Sequence, residues 1–104
     1  MTHYRVVFSP ESEEQLARLE GYIAAAASPT IAANYTDAII TYCESLCIFP
    51  LRGTKRDDIR PGLRITNYRG RTVIAFEVSG DTVSIIGVFY GGQDYEARLR
   101  REDE

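Results

Sequence analysis

The sequence predicts an α+β fold in the order β-α-α-β-β-β, a helical hairpin packed on a small, mostly antiparallel sheet. Two Ser-Pro pairs, Ser9-Pro10 and Ser28-Pro29, each introduce a run whose apolar residues recur at helical spacing. Three runs rich in β-branched and aromatic residues then fill positions 63–90, separated by the turn residues Arg69-Gly70 and Gly80-Asp81. A chain of 104 residues with 44% apolar and 26% charged residues is long enough to bury a core but too short to split into two domains, so residues 1–104 are expected to form one domain.

Tyr4 to Phe8 is a short first strand, stopped by Ser9-Pro10. Ser9 is the N-cap of the first helix, with Pro10 at its first position and Glu11, Glu13 and Glu14 favourably placed against the helix dipole. Leu16, Leu19, Ile23 and Ala26 form its apolar stripe. Ser28-Pro29 repeats the signal and starts a second helix. Its stripe of Ile31, Tyr35, Ile39, Tyr42, Leu46 and Phe49 is expected to keep one face buried for about five turns until Pro50 ends it.

Leu51 to Gly62 lacks periodicity and is expected to be a loop. In the meander that follows, alternation puts Leu63 with Ile65 on one face, Ile74 with Phe76 and Val78, and Val83 with Ile85, Gly87 and Phe89. The last strand has few polar residues on either side, which predicts cover on both faces. From Glu96 onward the charged tail is expected to fray.

The start of the chain lacks a basic and apolar export signal, and no run is long enough to span a bilayer, so a cytoplasmic protein is expected. Cys43 and Cys47 stand four apart in a helical run, a poor geometry for a disulfide, and are expected to be reduced core or boundary residues. With His3 as the one other soft ligand, no metal or other cofactor is implied.

Net charge is only −3, yet its distribution is uneven. Between Leu51 and Thr72 stand Arg52, Lys55, Arg56, Arg60, Arg64, Arg69 and Arg71 against only Asp57 and Asp58. The segments on either side carry more acids than bases. A basic segment rich in arginine within an acidic protein predicts attraction to an anionic macromolecular surface through planar, bidentate contacts.

Hydrolytic chemistry finds little support. A nucleophile needs a base within reach, and the single histidine lies at the chain's start. Asp57-Asp58 and Asp94 with Glu96 lack the apolar setting that would raise a carboxyl pKa. Gly91-Gly92 has neither a P-loop lysine nor dinucleotide spacing. The segment from Gly87 to Tyr95 is more distinctive, since a strand runs into two glycines and then presents Tyr90, Gln93, Asp94 and Tyr95, groups suited to interfaces.

Phe49-Pro50, Gly62-Leu63-Arg64, Tyr68-Arg69-Gly70-Arg71 and the run from Val83 through Gly91-Gly92-Gln93-Asp94 together resemble the ParE-like branch of the RelE/ParE toxin superfamily, over Tyr4 to Leu99. The resemblance implies the toxin half of a bacterial toxin-antitoxin module, neutralised by a ParD-like antitoxin, with DNA gyrase as target. RelE-like relatives instead cut messenger RNA on the ribosome, using lysine, arginine, histidine, glutamate or tyrosine groups on the sheet. Here the matching positions offer Arg64, Arg71 and Tyr90 or Tyr95, and arginine is a poor general base at neutral pH. That set favours an inhibitor that binds rather than an enzyme, with an endoribonuclease or an inactive binding module as alternatives. This chain departs from ParE relatives in carrying Tyr90 where they often have histidine and Gln93 where they often have arginine. The expected contact surface for target or antitoxin is Arg60, Arg64, Arg69, Arg71, Tyr90, Gln93 and Tyr95, with no catalytic residue among them and no direct sequence-specific binding to nucleic acid.

Overall fold

The computed structural model describes residues 3–102. Strand β1 (Arg5–Phe8) leads into helices α1 (Pro10–Ala26) and α2 (Pro29–Glu44), and a 3-10 turn at Ser45–Cys47 follows. Then come β2 (Thr54–Lys55), β3 (Leu63–Tyr68), β4 (Thr72–Ser79), β5 (Thr82–Tyr90) and α3 (Tyr95–Glu102). The strands form one sheet in the order β1-β5-β4-β3-β2, with β1 parallel to β5 and the other neighbours antiparallel. The predicted α+β hairpin-on-sheet architecture is present.

Both helix starts follow the sequence signal. Ser9 Oγ accepts from the Ser12 N–H at 3.1 Å and Ser28 Oγ accepts from the Ile31 N–H at 3.1 Å, each followed by proline in the first turn. These bonds satisfy backbone donors that a helix start leaves open.

The second helix ends earlier than its apolar spacing predicts. After Glu44 the backbone tightens into the 3-10 turn, which rotates the stripe off its face: Leu46 is fully buried, but Phe49 and Ile48 point outward. Ile31, at the other end, is also exposed.

The sheet is a middle layer with a core on each side. Toward the hairpin, Leu16, Leu19, Ile39, Cys43 and Leu46 meet Ile74, Phe76, Val83, Ile85 and Val88. On the opposite face Leu63, Ile65, Ala75 and Phe89 are covered by Ile59 and by Leu99 of α3. The expected fraying tail is thus a docked helix whose Leu99 is fully buried. Asp103 and Glu104 lie outside the described residues. The expected loop at 51–62 likewise supplies the short edge strand β2 and the core residue Ile59. Its Gly53, at φ 75°, lies so close to β3 that a Cβ would stand 2.2 Å from the Ile65 carbonyl oxygen.

A β-bulge corrects the predicted alternation of β5. Ala75 pairs with Gly87 while Phe76 pairs with Ile85, so Ile86 is the extra residue. Val83 and Ile85 face the hairpin, and after the bulge Val88 and Tyr90 do so, leaving Phe89 on the α3 side. The predicted grouping of Phe89 with Val83 and Ile85 does not survive that one-residue shift. Cover on both faces of the strand, also predicted, is present.

Among the described residues no helix is long and apolar enough to cross a membrane. Both cysteines carry free thiols, and burial pushes that of Cys43 up to about 12, so it stays protonated and unreactive at neutral pH.

Candidate functional site

The seven residues singled out from the sequence separate into three places. Four gather at one end of the sheet. Arg69 holds a left-handed conformation, φ 54°, in the β3–β4 turn, with its guanidinium 5.5 Å from the Tyr68 ring centroid. Arg71 is exposed on the same turn, and its carbonyl accepts from the Gly91 N–H at 3.1 Å, which ties the turn to the end of β5. Tyr90 is half-buried, and Gln93 is exposed with its Oε1 accepting from the Tyr90 N–H at 3.0 Å.

Tyr95 and Arg60 lie on the α3 side of the sheet. The Tyr95 hydroxyl accepts from Arg56 Nη1 at 3.3 Å and its ring packs 6.1 Å from Phe89. Arg60 is half-buried, with Nε 3.9 Å from a Glu77 carboxylate oxygen. Arg64 stands apart from both groups. It leaves β3 on the hairpin side, as Thr66 and Tyr68 do, and donates to the Arg52 carbonyl at 3.3 Å, holding the chain after Pro50 against the strand.

Two groups of residues escaped the sequence reading. The first is a ladder of tyrosines along the hairpin side of the sheet: Tyr22 to Tyr90 at 6.4 Å, Tyr90 to Tyr35 at 6.0 Å, Tyr35 to Tyr68 at 6.3 Å and Tyr68 to Tyr42 at 5.3 Å. Arg52 closes it, 5.7 Å from the Tyr42 centroid and 5.5 Å from that of Phe49. The Tyr35 and Tyr42 hydroxyls pair at 3.0 Å with those of Thr72 and Thr66. Tyr35 and Tyr42 were predicted to pack, and they do, in the tilted and edge-on arrangements typical of aromatic quadrupoles. What the sequence hides is that four elements contribute to one ladder.

The second is the guanidinium of Arg56, which binds Asp58 through two 2.9 Å hydrogen bonds and reaches Glu96 on α3. The hydrogen bonds from Arg56 hold the Asp58 carboxyl below its usual 3.8, and the two carboxylates in turn raise the Arg56 pKa. Arg100 adds a weaker contact to Asp58 at 3.9 Å. Nothing in the spacing of residues 56, 58 and 96 announces this cluster.

The basic segment is therefore less bare than its composition suggests. Lys55 has Asp57 at 4.0 Å, Arg56 is doubly paired, and Arg52 and Arg69 lie over aromatic rings. The exposed positive charge concentrates at the β3–β4 turn, beside Tyr90 and Gln93. Such a surface can hold an anionic or aromatic partner.

Comparison with known proteins bears on the fold and the family. A structure titled as the chromosomal ParDE toxin-antitoxin system of Pseudomonas aeruginosa matches with a TM-score of 0.74 at 18% identity, covering 86% of this chain and 97% of that one. The RelBE2 toxin-antitoxin complex of Mycobacterium tuberculosis matches with a TM-score of 0.59 at 21% identity, covering 85% and 98%. At these identities the likeness is one of fold. No curated protein sequence matches the chain significantly. The model of the ParE toxin of the type II toxin-antitoxin system parDE, however, matches residues 6–95, and on that match the chain belongs to the ParE toxin family.

Proposed function

We propose that this protein is the toxin of a ParDE-type module, arresting DNA gyrase by binding rather than by catalysis, in the cytoplasm, and held inactive by a ParD-like antitoxin. The observation that carries the reading is the family match over residues 6–95. The state of the polar groups on the α3 face supports it. Arg56 is engaged with Asp58, Glu96 and Tyr95, and its raised pKa excludes it as a base, while His3 lies outside that cluster at the chain's start. The contact surface we favour is Arg69, Arg71, Tyr90 and Gln93.

The deciding assay mixes purified protein with gyrase, ATP and supercoiled plasmid, and follows both supercoiling and protein-trapped linear DNA. Linear DNA that needs both proteins is the expected result. An unaffected gyrase alongside toxicity in cells would sink the proposal.

A second reading, ribosome-dependent cleavage of messenger RNA, draws on the hydrogen bond between Arg56 and the Tyr95 hydroxyl, a pairing that could steady a phosphate in flight. Its signature is specific cuts in messenger RNA after induction that disappear in Tyr90→Phe and Tyr95→Phe variants.

A further inference from the structure

Strand β1 pairs with β5 only as far as Ile85, whereas β5 runs on to Tyr90. Beyond Phe8, the backbone donors on that edge of β5 have no neighbouring strand. Two glutamines take the strand's place: Gln15 of α1 accepts from the Val88 N–H at 2.7 Å, and Gln93 accepts from the Tyr90 N–H at 3.0 Å. Each bond fixes the orientation of its amide, because only the carbonyl oxygen can accept. The two NH2 groups are left as donors, with no partner among the described residues.

Both amides line a pocket of about 370 Å³ between α1, the end of β5 and α3. Arg18 and Arg98 bring two guanidinium groups to the same walls, and Tyr22 and Tyr90 bring rings. Leu19 and Val88 supply apolar wall. No carboxylate is among the described residues that line the pocket; Glu14, one turn before Arg18, is held by Arg18 at 2.5 Å. Four fixed donor groups around an apolar wall are complementary to a ligand that only accepts.

We infer that this pocket binds a carboxylate side chain of an extended acidic peptide, with an adjacent apolar side chain of that peptide against Leu19 and Val88. Paired donors and planar guanidinium groups suit a carboxylate's two oxygens. Nucleic acid fits poorly. A nucleobase carries donors of its own, which would face the amide and guanidinium donors of the pocket. The inference rests on the binding surface proposed above only for the peptide's being physiological, since Tyr90 and Gln93 belong to both.

The test titrates the isotope-labelled full chain with three probes: acetyl-Leu-Glu-Glu-Leu-amide, its glutamine counterpart acetyl-Leu-Gln-Gln-Leu-amide, and adenosine monophosphate. Side-chain NH2 signals of Gln15 and Gln93 and the Nε–H signals of Arg18 and Arg98 are followed by NMR. The glutamate peptide is expected to shift these four groups, and the glutamine peptide to leave them unmoved. Gln93→Leu and Arg98→Met should each weaken binding roughly tenfold in chains whose remaining spectrum is unchanged, the effect of losing one hydrogen bond to a charged group. Equal response to both peptides, a stronger response to the nucleotide, shifts confined to other residues, or no shift with any probe would overturn the inference. Gyrase trapping is read in a separate assay, so the pocket can fail while the toxin reading stands, and the reverse.

Discussion

At the scale of single residues, the polar groups that matter most are those the fold has taken out of water. Thr72 is fully buried, and its hydroxyl meets that of Tyr35 at 3.0 Å, linking the middle of α2 to the start of β4. Thr72→Val keeps the shape and leaves the Tyr35 hydroxyl unpaired, so it should cost about 1 to 2 kcal/mol in urea denaturation. Thr72→Val combined with Tyr35→Phe should recover most of that loss, because both partners are then apolar. A double variant as unstable as the sum of the two singles would show that the pair does not interact. A second residue-scale prediction concerns pH. The Asp58 carboxyl titrates below its ordinary 3.8 because Arg56 donates to it, so the folded chain releases this proton more readily than the unfolded one. The resulting stability is complete above the ordinary value and is lost as pH falls through the depressed one. Acid unfolding followed by circular dichroism should therefore steepen below about pH 4, and Asp58→Asn should flatten that limb while leaving the neutral limb nearly unchanged.

At the scale of elements, α3 depends on a few contacts for its place. Its composition is strongly polar, and within the described residues one fully buried apolar side chain, Leu99, anchors it to the sheet, beside the pair of Arg56 with Glu96. Leu99→Ala should cost about 2 to 5 kcal/mol if the helix stays docked around a cavity. A smaller loss, with hydrogen exchange of α3 amides accelerated well above that of β4, would mean that the helix detaches as a unit. The same element marks the limit of what the sequence discloses. Ser9-Pro10 and Ser28-Pro29 were legible because capping is local chemistry, and Ile74, Phe76 and Val78 because a regular strand alternates. Helix α3 was not, since one leucine among charges carries no period and its partner Arg56 is about forty positions away. The bulge at Ile86 was equally silent: a two-residue period cannot register one inserted residue, and it moved Phe89 to the opposite face. The site was legible in part. Residues 69, 71, 90 and 93 do meet, because a hairpin turn and the end of its neighbouring strand share one edge, whereas the tyrosine ladder needs the tertiary fold to exist.

At the scale of the whole molecule, the question is what becomes of a basic segment in an acidic protein. Folding neutralises much of it locally: Lys55 near Asp57, Arg56 between Asp58 and Glu96, Arg60 near Glu77. Arg64 serves the fold by holding the Arg52 carbonyl, so reversing its charge would disturb the chain after Pro50 as well as any partner. Arg69 and Arg71 differ in being exposed on the three-residue turn between β3 and β4, at the corner that Tyr90 and Gln93 share. A pair of exposed charges steers an oppositely charged partner through the encounter and adds less to the bound state. The double variant Arg69→Glu/Arg71→Glu should thus keep its melting temperature and lose roughly tenfold or more in association rate with the antitoxin proposed above at low salt. Raising the salt should bring the two rates together, because screening removes the field that distinguishes them. Rates that are equal at low salt would show that the partner does not approach this corner. A rate difference that persisted in high salt would instead mean that the arginines make short-range contacts in the complex, moving them from steering to the bound interface.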